Sequence, residues 1–221
     1  MKNILFLILA TTMMACASSD SGSSKPDQPE KIIFLIGDGM GLSEVSTGFY
    51  YGEESSVFAR FKEIGLQQTS SAKEKVTDSA ASGTAMATGT KTYNGAVGID
   101  TSLTPHQSIA ELTASLGWST GVVATSTISH ATPASFYAHV EHRGMEDEIA
   151  FQLLSAEIDF CAGGGLARFI ARADSTNILP LAAEKGFLVD TSQLAAVGSL
   201  DADQKYGFLL AMGGMPCLLY T

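Results

Sequence analysis

Short apolar runs alternate with stretches of helical spacing along most of this chain. Ile32-Ile33-Phe34-Leu35-Ile36 is an unbroken apolar run ending in Gly37-Asp38-Gly39, the pattern of a strand buried on both faces of a sheet. A helix is expected from Leu42 or Ser43. The Ala, Ser and Thr residues from Asp78 to Thr88 predict another, with Thr77 or Asp78 as its N-cap. Gln107 to Leu116 has helical spacing and stops at Gly117, a favourable C-terminal cap. Gly121 to Thr125 reads as a second buried strand. Pro133 suits the first residue of a helix running to about Arg143, since the ring presets φ and the missing N–H is not needed there. Glu146 to Leu154 predicts a further helix, and Ile158 to Cys161 a strand closed by Gly163-Gly164-Gly165. Strands alternating with helices predict an α/β fold with a mainly parallel central sheet flanked by helices. No internal repeat recurs at a fixed period.

The first thirty residues follow a different pattern. Met1-Lys2-Asn3 is a short basic start, and Ile4 to Ala10 is apolar but too short to span a bilayer, which is the shape of an export signal. Residues 1–15 are read as that signal. Ala15-Cys16, followed by a Ser/Gly tether, is similar to a bacterial lipoprotein processing site, with an ordinary signal peptide and an incidental Cys16 as the alternative. Residues 16–30 read as a flexible linker and 31–221 as the folded part. The expected location is therefore outside the cytoplasm, periplasmic or anchored by lipid to the envelope. Cys161 and Cys217 could pair in an oxidising compartment, although one pair makes no disulfide framework.

Composition narrows the function. The 221 residues carry 13 Lys and Arg against 23 Asp and Glu, a formal charge of −10, and no clustered basic run. Nucleic acid is thereby excluded as a partner, because phosphate backbones are held by grouped cations. At 45% hydrophobic residues the chain can bury a core.

Ligands of open α/β sheets bind beyond the carboxyl ends of the strands, and three polar clusters fall at such places. Asp38 follows the first strand between two glycines; it is a hard carboxylate for a divalent cation, or simply a turn residue. Ser79 would sit in the first turn of a helix, where unpaired N–H groups favour an alkoxide or a phosphate, but a capped Ala-rich helix explains the same residues. His130 and Thr132, two apart on an extended segment, can point to one side. Arg143 is the candidate phosphate clamp, its fork of donors suiting two oxygens, with a solvated helix end as the alternative.

Taken together, Phe34-Leu-Ile-Gly-Asp-Gly-Met-Gly41, Val76-Thr-Asp-Ser-Ala-Ala-Ser82, Lys91-Thr-Tyr-Asn-Gly95 and His130-Ala-Thr-Pro133 through Ala138-His139-Val140 with Arg143 resemble the alkaline phosphatase family, in its order and spacing. The resemblance implies a phosphomonoesterase using Zn2+ and Mg2+ and acting through a phosphoserine. Ser79 would attack phosphorus with zinc beside it. Asp38 would bridge a zinc and the magnesium site, and His130 and Thr132 would lie on the magnesium side. Arg143 would hold two phosphate oxygens, oriented by Asp78. Position 130 is Asp in some members, a choice that bears on Mg against a further Zn. A homodimer is left open.

Family members continue well beyond residue 221, and most of their zinc ligands lie in that later part. The four histidines here, His106, His130, His139 and His142, form no Asp-x-x-x-His or Asp-His pair. Catalytic zinc takes about three protein ligands. The chain is therefore expected to be a truncated N-terminal part, inactive alone. The alternative is a non-catalytic fragment or binding protein that keeps the phosphate cradle. A related phosphodiesterase or sulfatase ranks lower, because the sulfatase Cys/Ser-x-Pro-x-Arg setting is absent around Ser79.

Overall fold

The computed structural model describes residues 31–52, 55–194, 197–201 and 203–216. The expected leader, the linker with Cys16, and Cys217 lie outside the described residues, so the Cys161–Cys217 pairing does too.

The chain divides into two units, Met1–Ile36 and Gly37–Thr221. In the first, the described residues correct the expected strand at Ile32–Ile36. They form no regular structure, and Ile33 and Leu35 are 82% and 83% exposed. An all-apolar parallel strand becomes buried only with partner strands beside it and a layer on each face, and the unit's described residues supply neither.

The second unit contains the sheet. Its helices and strands run α1 (Leu42–Tyr51), α2 (Ser79–Thr88), α3 (Ile109–Ser115), β1 (Gly121–Thr127), α4 (Ala131–Ala134), α5 (Glu146–Leu153), β2 (Phe160–Gly164), α6 (Ala167–Ile170), α7 (Leu179–Glu184), β3 (Phe187–Asp190) and β4 (Lys205–Leu209). The four strands lie in the order β1-β2-β4-β3, all parallel, with Cys161 opposite both Val122 and Gly207. An α/β fold with a parallel sheet is what the alternating pattern predicted.

Local chemistry sets most of the boundaries. Asp78 caps α2 by accepting from the Ala81 N–H at 2.9 Å, and Ser108 caps α3 in a reciprocal box with Glu111. Gly117 follows α3 at φ +82°. No described helix is long and apolar enough to cross a membrane.

Two further expectations are corrected. β1 is not a doubly buried strand: it lies at one edge of the sheet, its residues alternate in exposure, and Val123 is 73% exposed. The helix expected from Pro133 to Arg143 is the short α4, with Pro133 at its third residue and not its first. The chain is drawn out of helix because Val140 exchanges both backbone hydrogen bonds with Val97, at 3.1 and 2.9 Å, and Tyr137 Oη donates to the Ile128 carbonyl at 2.8 Å. Those bonds replace the ones a longer helix would have made.

The core joins α2, α4, α5, α6 and α7 to the sheet through Ala80, Ala134, Ile149, Leu153, Phe169, Ala182 and Leu209, each at most 2% exposed. Ile149→Ala should cost about 2–5 kcal/mol, through lost transfer energy and the cavity left behind. Urea unfolding should show the midpoint fall with the slope unchanged; an unmoved midpoint would mean that α5 is not part of the core.

Candidate active site

Three turns and two helix starts bring the polar clusters together. Gly37–Met40 is a turn closed by Met40 N–H donating to the Gly37 carbonyl at 3.0 Å, and it presents Asp38. Ser79 is the first residue of α2, and Thr132 lies inside α4 with His130 as its N-cap residue. The Asp38 carboxylate stands between the two hydroxyls. Ser79 Oγ donates to Oδ1 at 3.0 Å, and Thr132 Oγ1 donates to Oδ2 at 2.8 Å.

Asp78 forms the second half of the arrangement. Its Oδ1 caps α2, while its Oδ2 accepts from Arg143 Nη1 at 3.1 Å and from the Gly95 N–H at 3.2 Å. Burial pushes the Asp78 carboxyl up, but the bonds from Ala81, Arg143 and Gly95 outweigh it and hold the group below the ordinary carboxylate range. Asp78 is therefore an anion that keeps Arg143 in place. Arg143 Nη2 also reaches His130 Nε2 at 2.9 Å, where the ring nitrogen must be the acceptor. Arg143 lies in a turn after the Val97–Val140 pairing and not at a helix end. These two contacts engage two of its five N–H donors.

The six predicted site residues thus form two hydrogen-bonded groups, Asp38 with Ser79 and Thr132, and Asp78 with Arg143 and His130. The groups meet at the Asp78–Ser79 peptide, with one difference in direction from the sequence reading. His130 and Thr132 do not share a partner: Thr132 is helical and turns to Asp38, whereas His130 turns to Arg143. The donor set decides what these residues can hold. A carboxylate with two flanking hydroxyls offers hard oxygens, which suit part of a magnesium shell. A zinc site is not fitted: among the described residues no group of three His, Cys, Asp or Glu side chains could hold a metal ion.

Several residues around the network carried no individual role in the sequence. Asn94 Oδ1 accepts from the Asp78 N–H at 3.2 Å, and its Nδ2 donates to the Val76 carbonyl at 2.9 Å. The Tyr-Asn-Gly triplet was the available signal, because Asn-Gly marks a turn that can expose side-chain and backbone donors together. His139 is a structural cation. Its Nδ1 lies 2.8 Å from the Gly98 carbonyl and its Nε2 2.9 Å from Glu111 Oε1. Both partners are acceptors, so both ring nitrogens carry protons. Glu111's hydrogen bond is the main cause of the raised His139 pKa, acting against burial. Ser129 Oγ and Arg168 Nε meet on Glu146 Oε2 at 2.9 and 3.2 Å, an ion-pair support behind α4.

Comparison with known proteins points to one family. The alkaline phosphatase family model matches residues 30–194. Alkaline phosphatase of Escherichia fergusonii is 34% identical, over 88% of this chain and 49% of that protein. The Escherichia coli enzyme is 33% identical, over 90% of this chain and 50% of its own length. Among solved structures, alkaline phosphatase of the Antarctic bacterium TAB5 superposes with a TM-score of 0.79 at 47% identity, covering 81% of this chain and 52% of that one. Two variants of the TAB5 enzyme, with one histidine replaced by Asp or by Glu, hold Mg in the M3 site. The chain spans about half the length of the relatives it matches.

The doubly bonded His139 sets a pH dependence. Folding raises its hold on the proton, so its contribution to stability is complete below the ordinary imidazole range and is lost as pH rises through the raised value. The gap in melting temperature between the parent chain and His139→Gln should shrink from about pH 6 to about pH 9. A gap of constant size would show that the neutral ring is held equally well.

Proposed function

The chain belongs to the alkaline phosphatase family, and on that premise we propose that its site serves hydrolysis of phosphate monoesters through a phosphoserine on Ser79. The observation that carries the proposal is the pairing of a helix-start serine, aimed at Asp38, with an Asp78-anchored arginine two short links away. The ester phosphate would lie at the start of α2, where N–H groups without helical partners favour negative charge. Arg143 would bind two of its oxygens with donors beyond those used on Asp78 and His130. Ser79 Oγ would form the new bond to phosphorus as the bond from phosphorus to the ester oxygen breaks. The hydroxyl proton, drawn toward Asp38 Oδ1, would pass on to the departing alkoxide, which leaves as the alcohol. Water then forms its bond to phosphorus as the Oγ–P bond breaks, and Ser79 regains a proton.

A divalent cation held by Asp38 and Thr132 would supply charge neutralisation beside the phosphate. His130 is the residue at which the choice between Mg and a further Zn is proposed to act. The leader-like residues 1–15 and Cys16 support work outside the cytoplasm, with lipid as an anchor.

A second reading is favoured by one observation, the absence of a three-ligand cluster among the described residues. On it, the 221-residue chain holds the phosphate cradle and does not turn over by itself. Hydrolysis of p-nitrophenyl phosphate at alkaline pH, with Zn and Mg and an EDTA control, separates the two. Turnover abolished by EDTA and by Ser79→Ala, together with loss of label transferred from substrate phosphate, supports the first. A folded chain without turnover supports the second. Arg143→Ala should weaken inorganic phosphate about ten- to a hundredfold, the worth of roughly 1.5–3 kcal/mol in charged hydrogen bonds. An unchanged affinity would remove Arg143 from the site.

A further inference from the structure

Lys91-Thr92-Tyr93-Asn94-Gly95 contributes no group to the proposed chemistry, yet it is hydrogen-bonded to Asp78, to the Val76 carbonyl before it and to Arg143. Asn94 spans the two peptide units flanking Thr77, accepting from Asp78 N–H and donating to the Val76 carbonyl. It thereby fixes how the chain enters Ser79. Gly95 continues the same job with its backbone. Its N–H donates to Asp78 Oδ2 at 3.2 Å and its carbonyl accepts from Arg143 N–H at 2.7 Å, while Arg143 Nη1 returns to the same Asp78 oxygen at 3.1 Å. Asp78, Gly95 and Arg143 therefore form a closed ring of three hydrogen bonds.

Only glycine suits position 95. Its φ is +96°, and a Cβ there would stand 2.9 Å from the His142 ring. The segment is also pinned at its start and middle, by Lys91 Nζ donating to the Ser70 carbonyl at 2.6 Å and Tyr93 Oη donating to the Glu141 carbonyl at 2.9 Å. One strap thus runs from the approach to the nucleophile to the segment carrying the arginine.

We propose that Asn94 is a positioning residue of this site, holding Ser79 and the Asp78–Arg143 pair in register so that serine oxygen and guanidinium meet one phosphate. The proposal rests on the phosphate-cradle reading above. Asn94 touches no substrate. It acts through Asp78, whose amide and carboxylate are oriented by Asn94 and Gly95 in turn.

Hydrogen exchange of single amides tests it in the chain as it stands, together with inorganic phosphate titration followed by 31P NMR. In Asn94→Ala the amides of Asp78, Gly95 and Arg143 should exchange at least tenfold faster, those of Cys161 and Phe208 in the sheet should keep their rates, and the phosphate dissociation constant should rise about tenfold. Asn94→Asp keeps the oxygen facing Asp78 N–H, so that one amide should stay protected. Unchanged exchange at Asp78 in the alanine variant overturns the proposal. So does acceleration spread evenly through the sheet, which would make Asn94 a general support. If the alanine variant does not fold, loss of Asp78 protection in Asn94→Asp overturns it and retention supports it. A parent chain that binds no phosphate would sink the cradle reading, while the exchange pattern would still decide the place of Asn94.

Discussion

The close approach of α2 to α4 is the constraint on which the site depends. α2 turns Ala80, Ala81, Gly83, Thr84 and Ala87 inward, so nothing bulkier than a threonine stands between the helices. At Gly83 even a methyl would be too much: a Cβ would lie 2.8 Å from Ser135 Oγ and 3.5 Å from the Thr132 Cα. This contact sets the separation of Ser79, at the start of one helix, from Thr132 on the other. Because that separation is right, a single carboxylate, Asp38, can accept from both hydroxyls. Thr84 adds direction. Its Oγ1 donates to the Ala96 carbonyl and accepts from the Gly98 N–H, fixing α2 against the strap that holds Arg143.

Asp78 shows how a fold element and a site share one group. Oδ1 satisfies an amide that every helix start leaves unpaired, and this alone would justify an aspartate. Oδ2 holds the arginine and Gly95. The cap therefore lowers the carboxyl's affinity for protons, and the resulting anion is what fixes the clamp. The chain's formal charge of −10 gives an overall field that repels anions such as phosphate. On the proposed reading, attraction would come from Arg143 and the α2 N-terminus at close range.

Legibility from the sequence followed the range of the interactions involved. The α2 start could be read because Asp78 acts three residues away on Ala81, and the parallel fold could be read from the alternation of strands and helices. The length of α4 could not. It depends on Val97 capturing Val140 from 43 positions away in sequence, and Pro133 is compatible with either outcome. The burial of Ile32–Ile36 was misread for a related reason, because an apolar run shows what a strand would prefer and not whether neighbours are there to cover it. At the site, the residue types were visible but their directions were not. Spacing could suggest that His130 and Thr132 point together; the helix beginning between them separates them toward Arg143 and Asp38. Asn94 and Gly95 lay inside a motif, yet their partners are 16 to 48 positions distant, beyond the reach of any local rule.

The site therefore consists of two parts held by different means. The arginine part is over-determined: Asp78 is fixed by its cap, by Arg143, by Gly95 and through its amide by Asn94, and each contact supports the others. Under the proposed function such a group would lose little entropy on binding phosphate, because its orientation is already settled. The Asp38 part is built differently. It sits on an exposed turn, it is oriented by two hydroxyl donors, and α1, which follows it, buries none of its residues. A turn held so lightly can rearrange around a cation, and hydroxyl protons can turn away at small cost when one binds between the oxygens. The rigid part fits the recognition of a fixed tetrahedral anion, and the looser part fits a ligand whose coordination has to be completed as it binds. On the proposed reading, this division separates a phosphate cradle from the place where a divalent cation would complete its shell, in a chain that spans about half the length of its relatives.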